Sequence, residues 1–372
     1  MAEARDQGEV WAKSKRSVGA PNPRDRDPRA TLLALAERAP SLEEIDHYGE
    51  GGLAERLEAR IAELLGTEAA VWMPSGTMAQ QIALRLHSER RGSRGVAFHP
   101  LCHLEEHEER AYEVLHGLKA QLLGSRDRLI RASDLDELED PVAAVLLELP
   151  ERELGGLLPA WDELVAICAK AREQNAALHL DGARLWQCGP FYERGLDEIA
   201  ALFDTVYVSF YKDLGAPAGA ALAGPAELIE EARVWQVRHG GRLYSVHPYL
   251  IAAERGLDEV LPRIPELVAH ARELGMALAE LDGIEIVPDP PQTTMFHVYV
   301  RRPLEPLQEA ALDQAERTGT FLGFVRATDD PERQRLELTI GLAGLEVPVG
   351  ETKALWQELL TTVAQPSPRL VG

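Results

Sequence analysis

The segment VAAVLLELP (142–150) constrains the fold more than any other part of the chain. Its apolar residues are almost unbroken, and a strand of that kind is buried on both faces. Similar runs recur at AAVWMP (69–74), GVAFHP (95–100), AALHLDG (176–182), TVYVSFYK (205–212) and AGAALAG (218–224), with KAQLLG (119–124) as a more polar companion. Between them lie SGTMAQQIALRLHSERR, EEHEERAYEVLHG, PAWDELVAICAKAREQN and PAELIEEARVWQVR, all with helical character. Apolar strands alternating with amphipathic helices predict a mostly parallel sheet covered on both sides, a doubly wound α/β domain.

After about residue 250 the pattern changes. A long helical stretch, roughly 250–280, precedes GIEIVP, TTMFHVYV, FLGFVRA and RLELTIG, which read as short strands of a smaller α+β domain. The 372 residues also exceed the ~250–300 at which one core stops growing. The expected organisation is a flexible, charge-rich arm at 1–30, a large α/β domain at 31–250 and a small C-terminal α+β domain at 251–372, ending in a frayed tail, AQPSPRLVG.

With 39 basic and 61 acidic residues the net charge is −22, which repels phosphate backbones and anionic lipid. Neither nucleic acid nor a membrane is an expected partner, and no run reaches the ~18 apolar residues of a membrane helix. The three cysteines, Cys102, Cys168 and Cys188, are scattered and form no Cys-x-x-Cys pair. A disulfide framework is therefore not expected. A cytoplasmic location is, since the N-terminal residues also lack the apolar core of a secretion signal.

Ligands of a parallel sheet collect beyond the carboxyl ends of its strands. Three such positions carry reactive groups. Ser75-Gly76-Thr77 follows AAVWMP and opens a helix, where amides and hydroxyls suit a phosphate or simply cap the helix. Asp181 ends AALHL, either as a turn residue or as an acid at an apolar interior that needs a partner. Lys212 ends TVYVSFY and precedes small residues. It is one of only six lysines among the 39 basic residues; Lys119 and Lys170 fit solvated positions. A lysine at the end of a buried strand either snorkels or has its amine made nucleophilic by desolvation. A phosphate cradle, an acid and an amine 31 residues after it are what pyridoxal 5′-phosphate requires. The cradle anchors its phosphate, the carboxylate faces its ring nitrogen, and the amine bonds its aldehyde carbon.

HLDGARLW (179–186), KDLGAPAG (212–219) and MPSGTMAQQIAL (73–84) resemble segments of the threonine aldolases of the beta-eliminating lyase group, within the aspartate-aminotransferase fold, fold type I. The likeness runs from about 45 to 345, taking in HYGEGGLAERLEARIAELLGTEAAV (47–71) and LELPERELGGLLP (147–159). It implies a pyridoxal-phosphate-dependent carbon–carbon lyase that cleaves a threonine-like β-hydroxy-α-amino acid reversibly to glycine and an aldehyde. Related chemistry on the same cofactor is β-elimination, transaldol transfer or transamination. By the same resemblance Lys212 bonds the cofactor and Asp181 faces the ring nitrogen with a depressed pKa. Gly76 and Thr77, beside Ser75, form the phosphate loop. Arg184 lies near the cofactor oxygen and the substrate carboxylate, and Arg335 also binds that carboxylate. His103 stacks on the ring and helps remove the substrate hydroxyl proton, with Glu108 five residues on. Arg242, after Gly240-Gly241, reaches a neighbouring subunit's phosphate, which implies a homodimer or homotetramer.

The chain departs from the family at several of these positions. Tyr211 and Asp213 flank the lysine where Ser and Gly are usual; Leu149-Pro150 stands for Asn-Thr, and Ile340 for a histidine. One competing pattern is His-x-x-Glu-His at 103–107, which would put two imidazoles on one helical face for a zinc hydrolase. It leaves Asp181, Arg184 and Lys212 without a role, and no metal is expected. His179, Trp72 and Trp186 read as core residues.

Overall fold

The computed structural model describes residues 5–21, 27–39, 41 and 46–363. They fall into two compact units, one of residues 37–154 and 158–262, the other of residues up to 36, 155–157 and 263 onward. In chain order the strands are β1 (Arg16–Ser17), β2 (Ala69–Met73), β3 (Gly95–Phe98), β4 (Lys119–Leu122), β5 (Ala144–Glu148), β6 (Ala177–Gly182) and β7 (Thr205–Ser209), then β8 (Ala220–Gly224), β9 (Ile284–Val287), β10 (Met295–Val300), β11 (Thr320–Phe321), β12 (Val325–Arg326) and β13 (Gln334–Thr339).

The larger unit is built on a 7-stranded sheet in the order β2-β8-β7-β6-β5-β3-β4. Strands β7, β6, β5, β3 and β4 pair in parallel, while β8 runs antiparallel to both β7 and β2. Strands β6, β7 and β8 are buried along their whole length, as continuous apolar runs require. Helix Gly76–Arg91 starts at Ser75, whose Oγ accepts the Met78 N–H at 3.3 Å, and stops at Gly92, where a φ of 64° suits glycine. Its apolar side chains Ala79, Ile82, Ala83 and Leu86 pack with Val71, Met73 and Leu222.

Two helical stretches differ from the sequence expectation. The segment after 103 divides into His103–Glu106 and Ala111–His116, because Glu109 and Arg110 take left-handed φ values of 50° and 53°. The stretch near 250–280 divides into His247–Glu259 and Ile264–Ala279 around the turn Leu261–Arg263. Pro262 cannot donate the helical bond there, and Pro265 opens the next helix.

In the smaller unit β12, β13, β10 and β9 form an antiparallel sheet, and β1 pairs with β11 in parallel. Phe296, Val298, Leu336, Leu338 and Trp356 form its core. The described part of the N-terminal arm is not loose. Helix Gln7–Lys13 buries Val10 against Leu312, Ala315 and Phe321, and Val18 enters the core behind β1. Few apolar residues anchor this segment, so its sequence looks like a free arm. The tail at 364–372 lies outside the described residues.

A buried ion pair fixes the strand that leads to Ser75. Glu58 is 7 % exposed; its carboxylate accepts the Trp72 N–H at 2.8 Å and the Arg233 guanidinium at 2.6 Å. Glu58→Ala leaves both donors without that acceptor. It should lower stability by roughly 2–4 kcal/mol, read as a fall in the urea midpoint at unchanged m-value. An unchanged midpoint would show that this pair does not hold β2.

Candidate active site

Strand register brings three polar side chains together at the carboxyl ends of the sheet. Glu148 on β5 is paired with Asp181 on β6, and Asp181 with Tyr207 on β7. Residues in register on parallel strands face the same side. Asp181 is 1 % exposed, and its Oδ1 accepts the Ala183 N–H at 3.0 Å. It makes no salt bridge among the described residues. Burial raises its pKa, which the positive charges of His103 and Arg184 oppose. The depressed pKa expected for Asp181 is therefore not a property of the protein alone, since no cation sits against it. Glu148 is pushed up to about 7 by burial and by the Asp181 charge; its oxygens accept the His103 N–H at 3.2 Å and the Arg152 N–H at 3.3 Å.

Lys212 lies three residues beyond β7 and is half-buried. Among the described residues its amine has no ion pair or hydrogen bond. It sits 5.1 Å from the centroid of the Tyr211 ring. Burial lowers its pKa, and the guanidinium groups of Arg184 and Arg152 lower it further, against the pull of Asp181 and Glu148. Arg184 is itself half-buried, and its side chain makes no ion pair among the described residues. Asp213, beside the lysine, accepts Gln187 Nε2 at 2.6 Å on Oδ1, while its buried Oδ2 has no hydrogen-bond partner among the described residues; burial pushes its pKa up to about 6.

At the start of helix Gly76–Arg91 the Tyr207 ring occupies the space of a side chain on residue 76. A Cβ there would lie 2.0 Å from the Tyr207 hydroxyl, so only glycine fits. Gly76 and Thr77, the first residues of the helix, have no intrahelical acceptor for their N–H groups. The Ser75 Oγ accepts the cap bond, which leaves its O–H as a further donor at the helix start.

His103 is half-buried, with Nδ1 3.0 Å from Glu108 Oε1. Glu108 is buried and also accepts Gln81 Nε2 at 3.0 Å and Gln80 Nε2 at 3.4 Å. Burial lowers the His103 pKa, but the Glu108 hydrogen bond and the charges of Asp181 and Glu148 outweigh it and leave the imidazole raised. His107 has its centroid 5.1 Å from that of His103, yet its Nε2 pairs with Glu153 at 3.0 Å. Among the described residues no group of three or more His, Cys, Asp or Glu is arranged to hold a metal ion. Arg242 is exposed; it pairs with Glu50, and its Nε donates to the Tyr48 carbonyl at 3.3 Å. Arg335 stands on β13 of the smaller unit, in register with Tyr299 and Arg326.

The Beta-eliminating lyase family model matches residues 37–302. The chain belongs to that family. A Listeria monocytogenes structure described as a candidate L-allo-threonine aldolase is 36% identical to this lyase, with a TM-score of 0.90 over 95% of this chain and 98% of its own. An Exiguobacterium structure described as a candidate aromatic amino acid beta-eliminating lyase/threonine aldolase is 35% identical, with a TM-score of 0.89 over 95% and 99%. Low-specificity L-threonine aldolase 1 of Arabidopsis thaliana is 25% identical over 87% of this chain and 91% of its own length. The lyase has the type I fold of pyridoxal-phosphate enzymes.

The side chains present in the lyase fit that cofactor. Among the described residues Asp181 is a buried carboxylate without a salt bridge, Lys212 an amine without an ion pair or hydrogen bond, and Gly76 a close-packed helix start with N–H groups free of intrahelical acceptors. Tyr207, Glu148, Gln80 and Gln81 escaped the sequence reading. Tyr207 could have been found from the two-residue period of TVYVS, which puts it on the Ser209 face; Gln80 and Gln81 carry no such signal. In the cofactor-free lyase, Lys212 should titrate below the ordinary lysine value of 10.5, so its neutral, nucleophilic form appears at lower pH than that of surface lysines. The pH dependence of amine acylation, followed by peptide mapping, measures this. Labelling of Lys212 in step with Lys119 would contradict the desolvated site.

Proposed function

We propose that the protein cleaves a threonine-like β-hydroxy-α-amino acid by a retro-aldol reaction, giving glycine and an aldehyde. Pyridoxal 5′-phosphate is the cofactor. One observation carries the reading: among the described residues Asp181 is a buried carboxylate without a salt bridge and Lys212 a half-buried amine without an ion pair or hydrogen bond, both at or beyond strand ends of one mostly parallel sheet.

Lys212 would hold the cofactor covalently, Asp181 would face its ring nitrogen, and Gly76 and Thr77 would receive its phosphate on their N–H groups. When bound, the cofactor supplies a sink for the electron pair of the Cα–Cβ bond. The remaining work falls to side chains. Arg184 offers a guanidinium not engaged by any described carboxylate, suited to the substrate carboxylate, and resemblance gives Arg335 the same role. Glu108 accepts from His103 Nδ1, which leaves Nε2 to take the proton of the substrate hydroxyl. Desolvation lowers the Lys212 pKa, so its amine gives up and takes back a proton more readily than a surface lysine does.

Two further statements belong to the same proposal. The protein works in the cytoplasm, which its strong negative charge and three free, buried cysteines support. It assembles as a homodimer or homotetramer, with Arg242 serving a neighbouring subunit's phosphate; the arginine would then exchange Glu50 for that phosphate.

The test is release of glycine from a panel of threonine-like substrates, with and without Lys212. Lys212→Ala should abolish release and the borohydride-reducible bond between protein and cofactor. In the intact enzyme kcat/KM should fall on the acid side through a pKa above 6.5, because His103 is raised and only its neutral form takes a proton. His103→Phe should remove that limb. Reduced cofactor mapping to Lys119 or Lys170, or a glycine-releasing Lys212→Ala variant, would refute the assignment.

A further inference from the structure

Tyr211 stands where the family usually carries a small hydroxyl residue, and its side chain reaches a specific place. Its hydroxyl lies 3.5 Å from that of Tyr207, and the Tyr207 hydroxyl packs against Gly76 at the start of helix Gly76–Arg91. The Lys212 ammonium sits over the Tyr211 ring, 5.1 Å from its centroid. The ring therefore serves the lysine while the hydroxyl reaches toward the helix start through Tyr207.

Proton counting shows what this pair lacks. Two phenols carry two O–H donors, and a bond between them uses one. Neither hydroxyl has another hydrogen-bond partner among the described residues. Tyr207 is 2 % exposed, so an unspent donor there is costly. Burial raises the pKa of both phenols, with the Asp181 charge adding to it, so both protons are present at neutral pH. The helix start offers several hydrogen-bond donors: the N–H groups of Gly76 and Thr77, and one phenol O–H beyond the Tyr207–Tyr211 bond. An anion with several acceptor oxygens satisfies all three at once.

We propose that the Tyr207–Tyr211 pair donates a hydrogen bond to the phosphate of the cofactor. The inference rests on the cofactor reading above and adds a phosphate contact particular to this chain.

Equilibrium binding separates this role from packing. Apoenzyme is titrated with pyridoxal 5′-phosphate and with pyridoxal, which lacks the phosphate, in the intact protein and in Tyr211→Phe. Tyr211 is half-buried, so the phenylalanine keeps the ring under Lys212 and removes only the hydroxyl. The expected result is about a tenfold weaker dissociation constant for pyridoxal 5′-phosphate, no change for pyridoxal, and a shifted ³¹P resonance of the bound phosphate. Tyr207→Phe should act in the same direction. Equal affinity for pyridoxal 5′-phosphate with an unmoved resonance would overturn the inference, as would equal losses for both ligands. If the intact protein forms no bond to pyridoxal 5′-phosphate at Lys212, the cofactor reading itself fails and this inference falls with it.

Discussion

The catalytic end of the sheet is organised around a carboxylate buried without a cation. Asp181 lies at the end of β6, with Glu148 paired to it on one side and Tyr207 on the other. Taking a carboxylate out of water costs several kcal/mol, and its one hydrogen bond from Ala183 returns about 1.5–3 kcal/mol. The deficit shows in the neighbours. Glu148 is pushed up to about 7 by burial and the Asp181 charge, and His103 is raised by the same carboxylates and Glu108. Lys212 feels that field, and neither Arg184 nor Lys212 forms a salt bridge with it among the described residues. The proposed cofactor, with a cationic heterocycle facing Asp181, would balance that charge.

The other ends of the site follow from the same strands. Tyr207 shares the face of Asp181 and extends to Gly76, so one strand register sets both the acid and the close-packed helix start. Ser209 ends β7 with its Oγ donating to the Ala183 carbonyl at 2.8 Å, which ties the strand before Lys212 to the residue after Gly182. The Glu58–Arg233 pair and the Trp72 N–H hold β2 just ahead of Ser75. The candidate cofactor site is thus spread over the ends of β2, β5, β6 and β7, where a parallel sheet leaves strand termini exposed to a ligand.

The sheet was legible in the sequence because β5, β6, β7 and β8 are mostly apolar, and Lys212 and Asp181 stood out as charged residues at the ends of such runs. What stayed hidden depended on packing or rare backbone geometry. The break at Glu109 and Arg110 uses left-handed backbone at residues that give no glycine signal. The N-terminal arm enters the apolar clusters mainly through Val10 and Val18, too few to make a period, and its other anchors are polar, such as Gln7 with Val325 and Arg5 with Asp313. Tyr211 looked like the loss of a hydroxyl beside the lysine. The position of its Oη became visible only once Tyr207 and Gly76 were placed against one another. His-x-x-Glu-His looked like one bidentate site in the sequence, but Glu108 and Glu153 engage the two imidazoles separately.

The central claim is that Asp181 is a carboxylate in want of a cation, and its own titration tests that directly. Selective ¹³C labelling of aspartate, with Asp181→Asn to assign the resonance, gives its pKa in the apoenzyme and after loading with pyridoxal 5′-phosphate. The account predicts a value above the ordinary 3.8 in the apoenzyme, where burial dominates, and a fall when the cofactor binds. A carboxylate that titrates at the ordinary value in the apoenzyme and does not move on loading would contradict it.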